Sequence, residues 1–352
     1  MAADGKMGVA LIGAGLVGPM HARAIRAIPE ARLAVVCRRD RAKARAFARE
    51  FETDWETDFR RAIDRPDVEL VDISTPPGTH LEIAAYAAER KKHVLVEKPI
   101  DKTVARGEAL IEACRTRGVK LGVIYQGRFK DGCLRLKKAA DEGRLGRIFL
   151  ADGYVKWYRP PSYYANDAWR GTWAVEGGGA MITQAIHVID ILLWIAGPVK
   201  SVYAHCATAL HDIETEDLCV AVLQYQSGAL GVLEGSTALK PGLPDRVEVH
   251  GERGTVIVEA GAVKLWEVDG MDGEAILREA GASHGSGASD PMAFTFAWHQ
   301  GQIRDMIAAI REDREPVVTG LAALKSLAVV EAVHESARTG LPVALRPLSS
   351  AS

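Results

Sequence analysis

The run His93-Val94-Leu95-Val96-Glu97-Lys98-Pro99 ends with a carboxylate and an ammonium side by side. The three apolar residues before them read as a buried parallel strand, and Pro99, which has no amide hydrogen, stops it. Glu97 and Lys98 then stand at the strand's carboxyl end, where open α/β sheets bind ligands. A lysine placed there is a candidate proton donor; the plainer alternative is an exposed ion pair, which contributes little. Gly13-Ala14-Gly15-Leu16-Val17-Gly18 has the spacing of a dinucleotide-binding loop. Gly13 permits the tight turn, Gly15 the approach of a pyrophosphate, and Gly18 close packing of helix on strand. A helix beginning at Leu16 and Val17 would aim its free amides at the phosphates.

Other residues extend this chemistry. Where an acidic residue usually meets the ribose 2′-hydroxyl, the chain has Arg38-Arg39-Asp40. Arginine suits a 2′-phosphate, which favours NADP over NAD; the alternative is two solvated residues before a helix that Asp40 caps. Thr75-Pro76-Pro77-Gly78-Thr79-His80 reads as a strand-end loop, with His80 either at the cofactor or packed at a helix start. Thr183, His187 and Asp190, at i, i+4 and i+7, share one helix face. The run Gly177-Gly178-Gly179 lets a cofactor or another domain approach the backbone closely.

These residues need elements to hold them. Strands are expected at 9–12, 33–37, 69–74, 94–96 and 119–125, with helices at 41–51, 80–91 and 102–117 between them. That alternation implies a doubly wound parallel sheet, and it gathers Thr75, Pro76, His80, Glu97 and Lys98 at the edge that carries the glycine loop. After residue 126 the rhythm changes. A helix at 131–142 and a strand at 147–157 precede an aromatic loop with Tyr158, Trp169 and Arg170. The helix at 180–196 buries Ile182, Ile186, Ile189 and Leu193. Strands at 200–207, 218–226, 229–237, 246–250 and 255–259, with tight turns, form an antiparallel sheet. Its second face, rich in Val and Leu, calls for a second subunit as cover. The stretch 268–291 reads as a mobile loop, and helices at 295–312 and 319–338 close the chain.

The 352 residues allow two domains, divided as 1–126 and 127–352. A formal charge of -2 offers no electrostatic case for nucleic acid or an anionic membrane. No run is long and apolar enough to span a bilayer, and the first residues lack the apolar core of a secretion signal. Five cysteines, scattered along the sequence, give neither a disulfide framework nor a metal site. The expectation is therefore a cytoplasmic protein with reduced thiols and no metal.

Together, the glycine loop, Thr75-Pro76 with His80, Glu97-Lys98-Pro99, Trp169-Arg170, and Gly177-Gly178-Gly179 with His187 and Asp190 resemble the Gfo/Idh/MocA oxidoreductase family over nearly the whole chain. The resemblance implies an α/β fold: a Rossmann domain plus a C-terminal α+β domain with a large, open, mainly antiparallel sheet that commonly forms oligomer contacts, here a homodimer or homotetramer. It further implies catalytic roles for Lys98 and His187, and cofactor contacts from Trp169 and Arg170. One departure is visible. Many dehydrogenases of the family carry aspartate four residues before the histidine, and this chain has Thr183, followed by Gln184. Threonine supports a charged histidine much less well, which shifts weight onto Lys98 and leaves Thr183 or Gln184 to bond a substrate hydroxyl.

The reading is an NADP- or NAD-dependent oxidoreductase that interconverts a secondary alcohol and a ketone on a sugar, sugar derivative or cyclic polyol. Lys98 would exchange the proton, His187 would bond the same oxygen or relay the proton, and Tyr158 and Arg170 would hold hydroxyls. Two alternatives belong to other classes: an NAD-dependent glycosidase acting by transient oxidation, and a non-catalytic NADP sensor.

Overall fold

The computed structural model describes residues 5–279, 287–289 and 295–348. The chain divides into two compact units, Met1–Gln126 with Phe296–Leu324, and Gly127–Thr295 with Lys325–Ser352.

Unit 1 begins with β1 (Met7–Ile12), α1 (Gly18–Arg26), β2 (Ala31–Cys37), α2 (Arg41–Phe51), β3 (Asp54–Glu56), α3 (Phe59–Ile63) and β4 (Leu70–Ile73). It continues with α4 (His80–Glu89), β5 (His93–Val96), α5 (Val104–Arg117) and β6 (Leu121–Val123). The strands form one sheet in the order β3-β2-β1-β4-β5-β6, and every pairing is parallel. The apolar runs explain this: β1 is buried at all six positions, as a strand covered on both faces must be. The strand order reverses between β1 and β4, and the crevice at their carboxyl ends is where such sheets take ligands. Short β3 and α3 were not expected from the sequence.

Unit 2 contains α6 (Asp131–Asp141), β7 (Ile148–Lys156), α7 (Pro161–Ala165) and α8 (Ile186–Ala196). Next come β8 (Val199–Ala207), β9 (Leu218–Tyr225), β10 (Leu230–Ser236), β11 (Arg246–Gly251), β12 (Gly254–Glu259), β13 (Ala262–Val268) and α9 (Gly273–Glu279). The sheet runs β13-β12-β11-β7-β10-β9-β8-β14, where β14 is Val343–Ala344. Its pairings are antiparallel except that of β7 with β10. Along β9, Cys219, Ala221, Leu223 and Tyr225 are buried and alternate with exposed residues, the pattern of a half-covered sheet. Two expectations change here. The stretch expected as loop contains α9, while 280–286 and 290–291 lie outside the described residues. The helix expected over 180–196 starts as a π turn, Met181–Ala185, before α8.

The last helices are α10 (Ala297–Arg311) and α11 (Gly320–Thr339). Phe296–Leu324 groups with unit 1 and not with the residues that precede it in the sequence. Ile303, Met306 and Ile307 of α10 are buried in the core that holds Val9, Leu11, Ile25, Leu70 and Leu95; each such side chain contributes roughly 1.5–3 kcal/mol. The Gln302 side-chain amide donates to the Val123 carbonyl and accepts the Tyr125 amide, so it joins Val318 and Thr319 in covering the outer edge of β6.

Candidate active site

In unit 1 the glycine loop leaves β1 toward α1. Gly13 has φ +93°, and a Cβ on it would lie 2.7 Å from the Ser74 carbonyl oxygen. Only glycine lets the loop pass the end of β4 this closely. Gly15 faces open space, with nothing within 4 Å of where its Cβ would be. No side chain caps α1, whose N-cap is Val17, and Leu16 is exposed. An uncovered helix N-terminus behind an open glycine is the receptacle a pyrophosphate needs, so these residues fit a dinucleotide. The Arg38 guanidinium donates to the Ala14 carbonyl of the same loop, while Arg39 is exposed. Asp40 accepts the Lys43 amide at 3.0 Å as the cap of α2.

The loop after β4 is tied to the turn after β5. His80 is fully buried, with Nε2 2.8 Å from the Thr75 carbonyl oxygen and Nδ1 3.1 Å from that of Pro99. Burial holds its pKa below the ordinary range. Both ring nitrogens face backbone, so His80 acts on any cofactor by holding Thr75 and Pro76 in place. Thr79 donates through its hydroxyl to this same loop.

Beneath Lys98 lies a buried polar cluster. His21 of α1 has Nδ1 2.8 Å from Asp72 Oδ2 and Nε2 2.9 Å from Glu97 Oε1. Glu97 Oε2 accepts the main-chain amide of Lys98 at 3.0 Å, and His299 Nε2 of α10 lies 3.7 Å from Glu97 Oε1. With carboxylate oxygens at both nitrogens, His21 fits as an imidazolium that donates twice. Burial opposes that charge, but Asp72 and then Glu97 outweigh it and raise the pKa to about 10. Burial would likewise raise Glu97, yet hydrogen bonds from His21 and His299 hold it well below the usual carboxylate range. His21, Glu97 and His299 are spaced closely enough to surround a metal ion. A ring that donates from both nitrogens has no lone pair to give, however, so this cluster is better suited to a proton than to a cation. Glu97 is buried and accepts the Lys98 main-chain amide, so it belongs to the interior and not to an exposed strand end. Lys98 itself is half-buried.

In unit 2 the site is built on the π turn and α8. Between Ala180 and Leu192 every residue is buried except Thr183 and His187. A π turn carries more residues than an α turn, which brings side chains four apart nearly into line. The start of this helix is fixed by Glu216, whose carboxylate accepts the Gly179 amide at 3.0 Å and the Met181 amide at 2.9 Å. A Cβ on Gly179 would sit 1.8 Å from the Glu216 carbonyl oxygen, so the close approach that the glycine run permits is made by Glu216 of this same unit. Asp190 lies inside the unit: Arg128 donates to both its oxygens at 2.7 and 2.8 Å, so it serves as a buried anchor for α8. Desolvation raises its pKa despite Arg128.

Around this helix, Arg170 donates to the Tyr163 hydroxyl and lies over the rings of Tyr163 and Trp169 at 4.2 and 4.5 Å. Gln184 Nε2 donates to the same hydroxyl at 3.2 Å, and the buried Gln184 Oε1 has no partner among the described residues. Tyr158 is half-buried under the Lys240 ammonium, 5.0 Å from its ring centre. Glu176, 2% exposed, accepts the Gly171 amide and, at 2.8 Å, the Thr183 hydroxyl. Sequence reasoning overlooked His21, Asp72, Glu176, Tyr163 and His299. Asp72 within an apolar strand and Glu176 just before a glycine run were signals; His299 had none.

Two family models account for most of the chain. Residues 7–125 match the oxidoreductase family with its NAD-binding Rossmann fold, and residues 133–257 match the GFO/IDH/MocA C-terminal domain. The chain belongs to the Gfo/Idh/MocA family of oxidoreductases. Among family members of known structure, the WlbA dehydrogenase from Bordetella pertussis, in complex with NADH and UDP-GlcNAcA, is 31% identical. The match has a TM-score of 0.89 and covers 98% of this chain and 99% of that one. The levoglucosan dehydrogenase of Pseudarthrobacter phenanthrenivorans is 28% identical over 71% of this chain and 73% of its own. The D-apiose dehydrogenase of Paraburkholderia graminis is 29% identical over 97% and 90%. No described helix is long and apolar enough to cross a membrane.

Proposed function

We propose that the protein oxidises a secondary alcohol, or reduces the matching ketone, on a sugar, sugar derivative or cyclic polyol, with Lys98 exchanging the hydroxyl proton. The observation that carries this is the seat of Lys98. It stands at the carboxyl end of β5 in an NAD-binding fold, with its main-chain amide gripped by a buried carboxylate that is itself held by an imidazolium. That grip fixes the backbone from which the Lys98 side chain reaches the cleft. Similar proteins named for levoglucosan, D-apiose and inositol support the substrate class.

A bound nicotinamide supplies or takes the hydride. Lys98 takes the hydroxyl proton in oxidation and returns it in reduction, and His187 is the second acid–base group. Thr183, Gln184, Arg170 and Tyr158 serve the remaining hydroxyls, and Tyr163 joins them through Arg170 and Gln184. Arg38 at the Ala14 carbonyl, with Arg39 beside it, supports NADP as the preferred cofactor. The Val and Leu face of the second sheet supports a homo-oligomer.

The test is a panel of sugars, polyols and sugar lactones followed at the reduced-nicotinamide absorbance with both cofactors. On an accepted substrate, Lys98→Met should lower turnover by about a hundred- to ten-thousand-fold with cofactor binding kept, and more than His187→Ala does. Near-parental turnover in Lys98→Met would remove the lysine from the chemistry.

A further inference from the structure

We propose that Glu176 is a positioning residue that fixes the polarity of the Thr183 hydroxyl, making Thr183 a hydrogen-bond acceptor that selects a substrate hydroxyl. The inference rests on the sugar or polyol reading above and specifies what Thr183 does within it.

Glu176 is almost completely buried, and a buried carboxylate is tolerable only where donors meet its oxygens. The Gly171 amide and the Thr183 hydroxyl are among those donors. The amide has no choice of role. The hydroxyl does, since it carries one proton and two lone pairs. Facing an anionic oxygen at 2.8 Å, it gives up its proton in that direction. What Thr183 then offers any other group is lone pairs, strengthened because a donor to a charged acceptor becomes a better acceptor in turn.

Thr183 is also placed to use them. It and His187 are the half-buried residues on a helix face that is otherwise closed from Ala180 to Leu192. An aspartate at position 183 would bring a full charge to that face. Threonine backed by Glu176 keeps the charge one bond away and presents a neutral acceptor. Such an acceptor favours a ligand O–H and gains nothing from an ether, a carbonyl or a deoxy carbon at the same place. A site built around one such bond discriminates because an analogue without that O–H forfeits the bond.

Glu176→Gln tests the arrangement. If the amide oxygen stays with the Gly171 amide, its NH2 group faces Thr183. The hydroxyl must then turn round, accept, and present its proton outward. We expect Glu176→Gln and Thr183→Val each to lower kcat/KM about ten- to a hundred-fold on an accepted polyol, while Thr183→Ser stays near the parent. The double variant should lose no more than Thr183→Val alone, because Glu176 acts through Thr183. The pH profile of kcat should not move in Glu176→Gln. Additive losses, or parental kcat/KM in Glu176→Gln, would overturn the proposal. Should Glu176→Gln fail to fold, judged by thermal unfolding and NADH binding, the Thr183 pair decides. The parent should prefer the polyol over its analogue deoxygenated at one position, and Thr183→Val should lose that preference; an unchanged preference at every position overturns the proposal. If no sugar or polyol is turned over, or bound by the NADH complex, the functional reading fails and this inference falls with it. An accepted substrate with additive losses sinks this inference alone.

Discussion

At the scale of single residues, Arg38 is the position where the proposed preference for NADP is open to test. Its guanidinium is held at the Ala14 carbonyl, at the mouth of the glycine loop, while Asp40 is occupied as the cap of α2. On the proposed reading, Asp40 is taken up by the helix and the arginines are the groups that would meet a 2′-phosphate. Replacing Arg38→Asp together with Arg39→Ala should weaken NADP binding by about 1–3 kcal/mol. Calorimetry with both cofactors measures it. Equal NADP affinity in variant and parent would assign the arginines to the loop alone.

At the scale of elements, the His21 cluster links α1, β4, β5 and α10 through side chains that no pair of neighbouring elements could supply. His21→Leu leaves Asp72 and Glu97 buried without a counter-charge, a loss expected at about 3–5 kcal/mol. The dependence on pH follows from the raised pKa. The imidazolium stabilises the fold fully below about 6.5, and that contribution fades as pH climbs through about 10. Urea unfolding of parent and variant at pH 6, 8 and 10 should therefore show their difference in stability shrinking toward pH 10. A constant difference would mean that His21 does not carry a charge. Most of the elements themselves were legible, because β1, β2 and β5 carry apolar runs at 7–12, 33–37 and 94–96, ended by Gly13, Arg38 and Glu97-Lys98-Pro99. The strand end that carries Lys98 was legible for the same reason. The bond between Glu176 and Thr183 was not, since it depends on a π turn whose start is set by Glu216. Nor was the placing of Tyr163 beside Arg170 and Gln184 instead of Tyr158. Short β3 lacks the length that makes alternation readable.

At the scale of the whole molecule, the sheet of unit 2 leaves a row of apolar side chains uncovered within the chain. Tyr203, Val220, Val222 and Leu230 are all exposed, and Val222 is paired with Tyr203 on one side and Val232 on the other. A continuous apolar row on a regular sheet face fits a twofold partner that presents the same row. The parent should then sediment as an oligomer at micromolar concentration, and Val220→Lys with Val222→Lys should leave it a monomer. A parent already monomeric there would leave this face as surface.

The return of Phe296–Leu324 to unit 1 has a bearing on how the protein comes to exist in a cell. When the ribosome releases residue 126, all six strands of the dinucleotide-binding sheet have been made. The core they share with Ile303, Met306 and Ile307 has not, and neither Gln302 nor His299 is there to complete β6 and the Glu97 cluster. At the usual pace of synthesis the sheet waits roughly ten to thirty seconds for its own last helix. During that interval its apolar surface and the open edge of β6 are exposed to chaperones and to other nascent chains. The half of the protein that binds the cofactor is thus written first and finished almost last.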